Sequence, residues 1–178
     1  MDELDPQLLV EEHYHALYRF AFSLSRAESE AWDLTQQTFY LWAKKGHQLR
    51  DLSKVKTWLF TTLYHEFLAG RRKKERFVDE EINEEHHAAP DLSPDAVNEL
   101  DCAVVQEALH QVKEQYRAPL ALFYLQSNSY KEIAEILGVP IGTVMSRISR
   151  GKADLRKLLV KSEESVVLRK NLPGGQKS

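Results

Sequence analysis

An all-α fold, two small helical domains joined by a flexible acidic linker, is what this sequence predicts on three observations. Apolar residues recur three and four positions apart through most of the 178 residues, the spacing of helices that bury one face. Helix punctuation falls where those stripes start and stop: Ser93, Pro94 and Asp95 open one, and Gly138 followed by Pro140 closes another. From Val78 to about Ser93 the periodicity lapses and Asp79, Glu80, Glu81, Glu84 and Glu85 crowd together, the composition of a solvated connector. These bounds place one domain at 1–77, the linker at 78–93, a second domain at 94–161 and a flexible tail at 162–178 that contains Pro173, Gly174 and Gly175.

In the first domain, Leu9, Tyr14, Leu17, Tyr18, Ala21 and Leu24 define an amphipathic helix over about Asp5 to Arg26. A second helix, about Ser29 to Lys45, turns Ala31, Leu34, Thr38, Leu41 and Trp42 inward and leaves Asp33, Gln36 and Gln37 as a polar stretch beside Phe39. A solvated face and a docking surface both fit that stretch, since short polar side chains around an aromatic also make directed interface contacts. After a connector at 46–52, a third helix runs from Ser53 to about Arg76 with Gly70 as its one candidate break, and Val55, Trp58, Leu59, Thr62, Leu63 and Phe67 form its apolar stripe. Trp58, Phe60, Tyr64, His65 and Phe67 stand just ahead of Arg71, Arg72, Lys73, Lys74 and Arg76. Rings beside clustered cations suit single-stranded nucleic acid, where bases stack and cations track phosphates. A core stripe ending in solvated charges, which also favour the negative end of the helix dipole, has the same pattern.

The second domain opens with a helix from Ser93 that carries Val97, Leu100, Val104, Ala108, Leu109 and Val112 inward. Another begins near Tyr116, tolerates Pro119 in its first turn, and supplies Leu120, Leu122, Phe123 and Leu125. They form a platform for Ser129 to Leu159, which reads as two helices joined by a tight turn. Ile133, Ala134 and Leu137 are the apolar stripe of the first; the second starts near Gly142 or Thr143, a threonine able to cap it, and repeats Val144, Ile148, Leu155 and Leu159. Its other face carries Ser146, Arg147, Arg150, Lys152, Arg156 and Lys157, as a recognition helix in a major groove would. A solvated helical hairpin shares that periodicity.

Composition narrows the function classes. A charged fraction of 29% and a hydrophobic fraction of 43% describe an ordinary globular protein, and no apolar run is long enough to span a bilayer. The opening MDELDPQ is acidic, unlike a signal peptide, so a cytoplasmic protein without membrane insertion is expected. A single cysteine, Cys102, excludes internal disulfides and thiolate zinc clusters. His13 and His15 lie two apart on a helix and point in different directions, so no metal site is expected there, and the pair His86 and His87 in the linker reads as incidental. No catalytic constellation or cofactor motif is present, so a non-enzymatic protein is expected. The net charge of −3 argues against coating nucleic acid by overall charge, but bases cluster at 71–76 and after Arg147 while 79–107 holds no Lys or Arg.

Taken in order, these segments resemble bacterial RNA polymerase sigma factors of the two-domain extracytoplasmic-function type, over about Leu9 to Leu159. DLTQQTFYLWAK at 33–44 is similar to region 2.2, and the resemblance implies that Asp33, Leu34, Gln36, Gln37 and Phe39 dock on the coiled coil of the polymerase β′ subunit. KTWLFTTLYHEFLAGRRKKER at 56–76 is similar to regions 2.3 and 2.4, which melt and read the −10 element; the implied contacts are Trp58, Phe60, Tyr64, His65, Arg71, Arg72 and Lys73. The stretch from Arg117 to Leu159 is similar to region 4, which reads the −35 element, with Thr143, Met145, Ser146, Arg147, Ser149 and Arg150 at the implied DNA face and Arg147 on phosphate or packed locally. The implied partners are core RNA polymerase, through its β′ coiled coil and β flap, and promoter DNA in double-stranded and melted form. Members of the family often pair with an anti-sigma factor, which makes one a candidate partner.

The chain departs from the family pattern at several positions. Gln37 stands where an acid is usual, His65 where asparagine is common, Ala69 in place of a common aspartate and Met145 in place of a basic residue, so promoter preference does not transfer from better-known members. Lys113 interrupts a usual Leu-Pro pair, and Gly151 sits mid-helix where alanine is common, a change that costs about 1 kcal/mol in helix propensity. The rival reading is a stand-alone helix-turn-helix regulator whose N-terminal half dimerises or binds a ligand. It leaves the motifs at 33–44 and 56–76 without a purpose.

Overall fold

A computed structural model describes the backbone of residues 5–77 and 105–171, with side chains through residue 158 except that of residue 77. Among these residues every regular element is helical. Helix α1 (Pro6–Ser25) starts with proline in its first turn and with the Asp5 carboxylate accepting from the Gln7 N–H at 2.9 Å. It stops at Arg26, whose left-handed backbone (φ 62°) returns its N–H to the Phe22 carbonyl. Helix α2 (Glu28–Lys45) carries Glu28 and Glu30 in its first turn and Lys44 and Lys45 in its last, complementing the helix dipole at both ends. Thr35 and Thr38 are fully buried on it, which is tolerable because each hydroxyl donates to the carbonyl four residues back, at 2.8 and 2.7 Å. Two short 3-10 turns, Gly46–Gln48 and Leu52–Lys54, lead into α3 (Val55–Phe77). The predicted break at Gly70 is absent, since one glycine costs a helix only about 1 kcal/mol. Leu9, Leu17, Phe20 and Leu24 of α1 meet Ala31 and Leu34 of α2 and Val55, Leu59, Phe60, Leu63 and Phe67 of α3 in one apolar core.

Helix α4 (105–111) buries Ala108, Leu109 and, just beyond its end, Val112; its expected start at Ser93, with Val97, Leu100 and Val104, lies outside the described residues, as do the linker 78–93 and Cys102. Arg117 is itself buried, and its guanidinium closes the exit from α4: Nε donates to Leu109 O at 3.1 Å, and Nη2 to His110 O and Val112 O at 3.3 and 3.2 Å. Carbonyls at a helix end thus satisfy a buried cation, whose pKa is lowered first by desolvation and then by the neighbouring Arg26 charge. Helix α5 (Glu114–Tyr124) starts earlier than Tyr116, so Pro119 falls inside it rather than in its first turn. Helix α6 (Tyr130–Leu137) opens on a capping box: Glu132 N–H donates to Ser129 Oγ, while Ser129 N–H donates to the Glu132 carboxylate at 2.7 Å. Gly138 ends it at φ 64°, a conformation that side chains resist.

Helix α7 (Ile141–Asn171) differs from expectation at both ends. Thr143 is not its cap. The Pro140 carbonyl accepts from both Thr143 N–H and Val144 N–H, so the helix is already under way at Ile141. At the far end the helical backbone continues past Leu159 to Asn171, into the segment predicted as a flexible tail. Val144, Ile148 and Leu155 seat α7 against α5 and α6. Gly151 explains itself here: a β-carbon at that position would stand 2.7 Å from Leu120 Cδ1 and 2.9 Å from Tyr116 Cβ, so its absence permits the close approach of α7 to α5.

Substituting Gly151→Val is expected to lower stability by roughly 1–3 kcal/mol through overpacking, outweighing the better helix propensity of the larger residue. A urea unfolding midpoint equal to that of the parent would show that α5 and α7 have room to spare.

Candidate nucleic-acid interface

Three helical surfaces carry the residues singled out from the sequence, and the structure sorts each into inward and outward members. On α2, Asp33, Gln36 and Gln37 are exposed. Leu34 is buried, as its helical spacing predicts and not as an exposed docking residue would be, and Phe39 is half-buried against the core, because both fall on the stripe that also buries Ala31, Thr35 and Thr38. The exposed aromatics on this helix are instead Trp32 and Tyr40, at 49% and 52% exposure, with Lys44 Nζ lying 4.7 Å from the Tyr40 ring centre. Trp32, Gln36 and Tyr40 recur every four residues, a spacing that was available in the sequence and marks one outward stripe.

Helix α3 has three faces. One enters the core and takes Phe60 with it. At 0% exposure and with its ring 5.4 Å from that of Phe20, Phe60 cannot stack on a base, and it is corrected from a DNA contact to a core residue. Trp58 is half-buried, edge-on to Trp42 at 5.3 Å. A second face, His65, Ala69, Arg72 and Arg76 with Lys73 beside it, is open to solvent. The third holds Tyr64, Leu68 and Arg71, half-buried because the second domain lies along it. Arg71 pairs with Glu114 of α5 as well as with Glu75 on its own helix, the latter at 3.8 Å. Tyr64 lines a cleft of about 510 Å³ together with Phe67, Lys113, Arg117 and Arg147. Burial there raises the pKa of its phenol, against an opposing pull from the Arg147 charge.

On α7 the outward residues are Met145, Ser146, Ser149 and Arg150. Ser146 Oγ donates to Thr143 O at 3.0 Å, and Thr143 is half-buried. Arg147 is half-buried and turned into the cleft, away from the face of Ser149 and Arg150. Ile141, 49% exposed, extends the outward surface beside Met145 by one turn. Lys152 leaves the basic face: its ammonium sits over the rings of Phe123 and Tyr124, at 4.3 and 5.9 Å. The surface is therefore amphipathic in a different sense from that expected, two apolar side chains followed by serine, serine and arginine.

Residues 9–77 match the family described as Sigma-70 region 2, and residues 102–155 match Sigma-70, region 4. The ECF RNA polymerase sigma factor SigL of Mycobacterium tuberculosis is 30% identical over 154 residues, which cover 85% of this chain and 86% of that protein. This chain belongs to the ECF RNA polymerase sigma factors. It is also similar to the ECF sigma factor SigE of Mycolicibacterium smegmatis, at 34% identity over 157 residues, although that alignment spans 86% of this chain and only 61% of the longer relative. Among solved structures, the sigma factor RpoE of Bartonella quintana, crystallised with the anti-sigma factor NepR, superposes with a TM-score of 0.72 at 31% identity, over 86% of this chain and 95% of that one. As a sigma factor, the chain directs RNA polymerase to promoters for transcription initiation, and a stand-alone regulator is not favoured because region 2 accounts for the whole N-terminal helical unit. No helix among the described residues is long and apolar enough to cross a membrane.

The division of α3 has a measurable consequence. Phe60→Ala is expected to cost about 3–5 kcal/mol of stability, as for other large aromatics removed from a core, whereas His65→Ala stays within about 0.5 kcal/mol of the parent. Thermal unfolding of the two variants decides it, and equal losses would contradict the assignment of Phe60 to the core.

Proposed function

We propose that this sigma factor acts by binding alone, with three surfaces in separate roles. The exposed face of α2, Asp33, Gln36 and Gln37, docks on the β′ coiled coil of core polymerase. The open face of α3, His65, Arg72 and Lys73, together with Tyr64 and Arg71, handles the melted −10 strand, rings stacking on unpaired bases and cations on phosphates. The outward face of α7, Met145, Ser146, Ser149 and Arg150, enters the major groove at the −35 element. The observation that supports this reading is the separation of each helix into a buried stripe and an outward one, with the outward residues named here falling inside the region 2 and region 4 matches.

Several finer assignments follow from it. Core polymerase would contribute its β flap to region 4, and the site of action is the cytoplasm, where polymerase and promoter meet. An anti-sigma factor is a further partner, supported by the likeness to RpoE, whose crystals contain NepR. The domain bounds 1–77 and 94–161 serve as the polymerase and −10 module and the −35 module.

Arg150→Ala is expected to change −35 preference, with a loss of roughly 1–3 kcal/mol of discrimination where the arginine reads a guanine. Asp33→Ala is expected to weaken binding to core polymerase while leaving promoter preference intact. Transcription by reconstituted polymerase over a promoter library, beside a core-binding titration, separates the two, and identical defects in both assays would contradict the division of labour.

A further inference from the structure

The outward face of α7 changes chemistry along its length. Its first two turns expose Ile141 and Met145, four residues apart and so one above the other, at 49% and 52% exposure. Ser149 and Arg150 follow one turn further on. A β-carbon built on Gly142, beside the two apolar side chains, would meet nothing within 4 Å, so no other part of the described fold stands over that stretch. A lone exposed apolar side chain is ordinary. These two stand at the end of the helix where a groove-reading helix meets base edges, since such a helix contacts bases chiefly through its N-terminal residues.

What those turns lack is equally informative. Between Ile141 and Ser146 the chain has no Lys, Arg, Asn or Gln. Ser146 Oγ already donates to Thr143 O at 3.0 Å, so it presents lone pairs outward rather than a proton. Arg147, the first cation, is half-buried in the cleft, and the first outward one is Arg150. The first two turns therefore cannot donate to the O6 and N7 acceptors of a guanine, which would give up its water there without replacement. The C5-methyl of thymine is the apolar group that a base edge offers in the major groove, and it suits a branched aliphatic side chain beside an adaptable thioether. Its adenine partner adds an N6 amino donor for the Ser146 lone pairs. Ile141 and Met145 lie about 6 Å apart along the axis at about 1.5 Å per residue, a reach of one or two base pairs stacked about 3.4 Å apart.

We propose that Ile141 and Met145 form a methyl-reading patch, which selects thymine at one position or two adjacent positions of the −35 element and leaves Arg150 to read a different base pair. This rests on the functional reading above, that the outer face of α7 enters the major groove, and adds the base chemistry that its first two turns accept.

Deoxyuridine pairs as thymidine does and lacks only the methyl group, so the test begins with no change to the protein. The chain assembled with core polymerase selects its −35 element from a randomised promoter library. Each thymine of that element, on either strand, is then replaced singly by deoxyuridine, and binding of the assembled polymerase is titrated. One replacement, or two at neighbouring pairs, is expected to weaken binding about fourfold, the worth of one buried methyl or methylene group. The double variant Ile141→Ser with Met145→Gln, changed only at exposed positions, is expected to bind the thymidine and deoxyuridine forms equally at those pairs. Comparing two DNAs with one protein cancels any general loss of affinity. A selected element without A·T pairs, deoxyuridine replacements that are all neutral, or a double variant that keeps the parent's sensitivity overturns the proposal. Arg150→Ala in the same titration keeps the two readings apart. If neither that substitution nor a scrambled −35 element alters binding, the functional reading fails and the methyl patch with it; an altered preference in Arg150→Ala beside neutral deoxyuridine defeats the methyl patch alone.

Discussion

Position 151 has room for a hydrogen atom and little else, and the posture of the second domain follows from that. With Leu120 and Tyr116 of α5 packed into the space a β-carbon would occupy, α7 settles onto α5 along Val144, Ile148 and Leu155. The same seating turns Ser149 and Arg150 outward and Arg147 toward the first domain. Helix α5 is held in turn by Arg117, which stitches its first turn to the end of α4 through three carbonyls. A small residue and a buried cation, neither of which resembles a core residue by hydropathy, therefore set the direction in which the outer face of α7 points.

Much of the helical layout was legible from periodicity because the helices are amphipathic and their ends are chemically marked. Gly138 stands where the backbone needs a left-handed residue, as read from the sequence, while the caps Asp5 with Pro6 and Ser129 with Glu132 carry equally plain chemistry that the periodicity reading passed over. Legibility failed where local chemistry was ambiguous. Thr143 looks like a cap, yet the Pro140 carbonyl had already started α7. Gly151 looks like a weakness in a helix, a judgement based on propensity that omits the neighbouring helix.

The outward residues were harder to read than the inward ones, for a physical reason. A ring is as much at home in a core as on a base, so Phe60 and Tyr64 are equivalent in a list of aromatics. Four residues separate them on α3, about 40° of rotation at 100° per residue, and that turn carries one into contact with Phe20 and the other to the edge of a cleft. Trp32 and Tyr40 escaped notice through the opposite error, because large aromatics are expected to face inward. Motif resemblance pointed to helices, and only the rotation of each helix decided which of its members are exposed.

Helix α7 keeps its two obligations on opposite sides. Val144, Ile148, Gly151 and Leu155 answer to the fold, while Met145, Ser149 and Arg150 touch little else in the protein. Substitutions on the outer side leave the packing undisturbed, so that face can drift one residue at a time without a folding penalty to be repaired elsewhere. A lineage that duplicated this gene would have a short route to a second surface of different chemistry on the same scaffold.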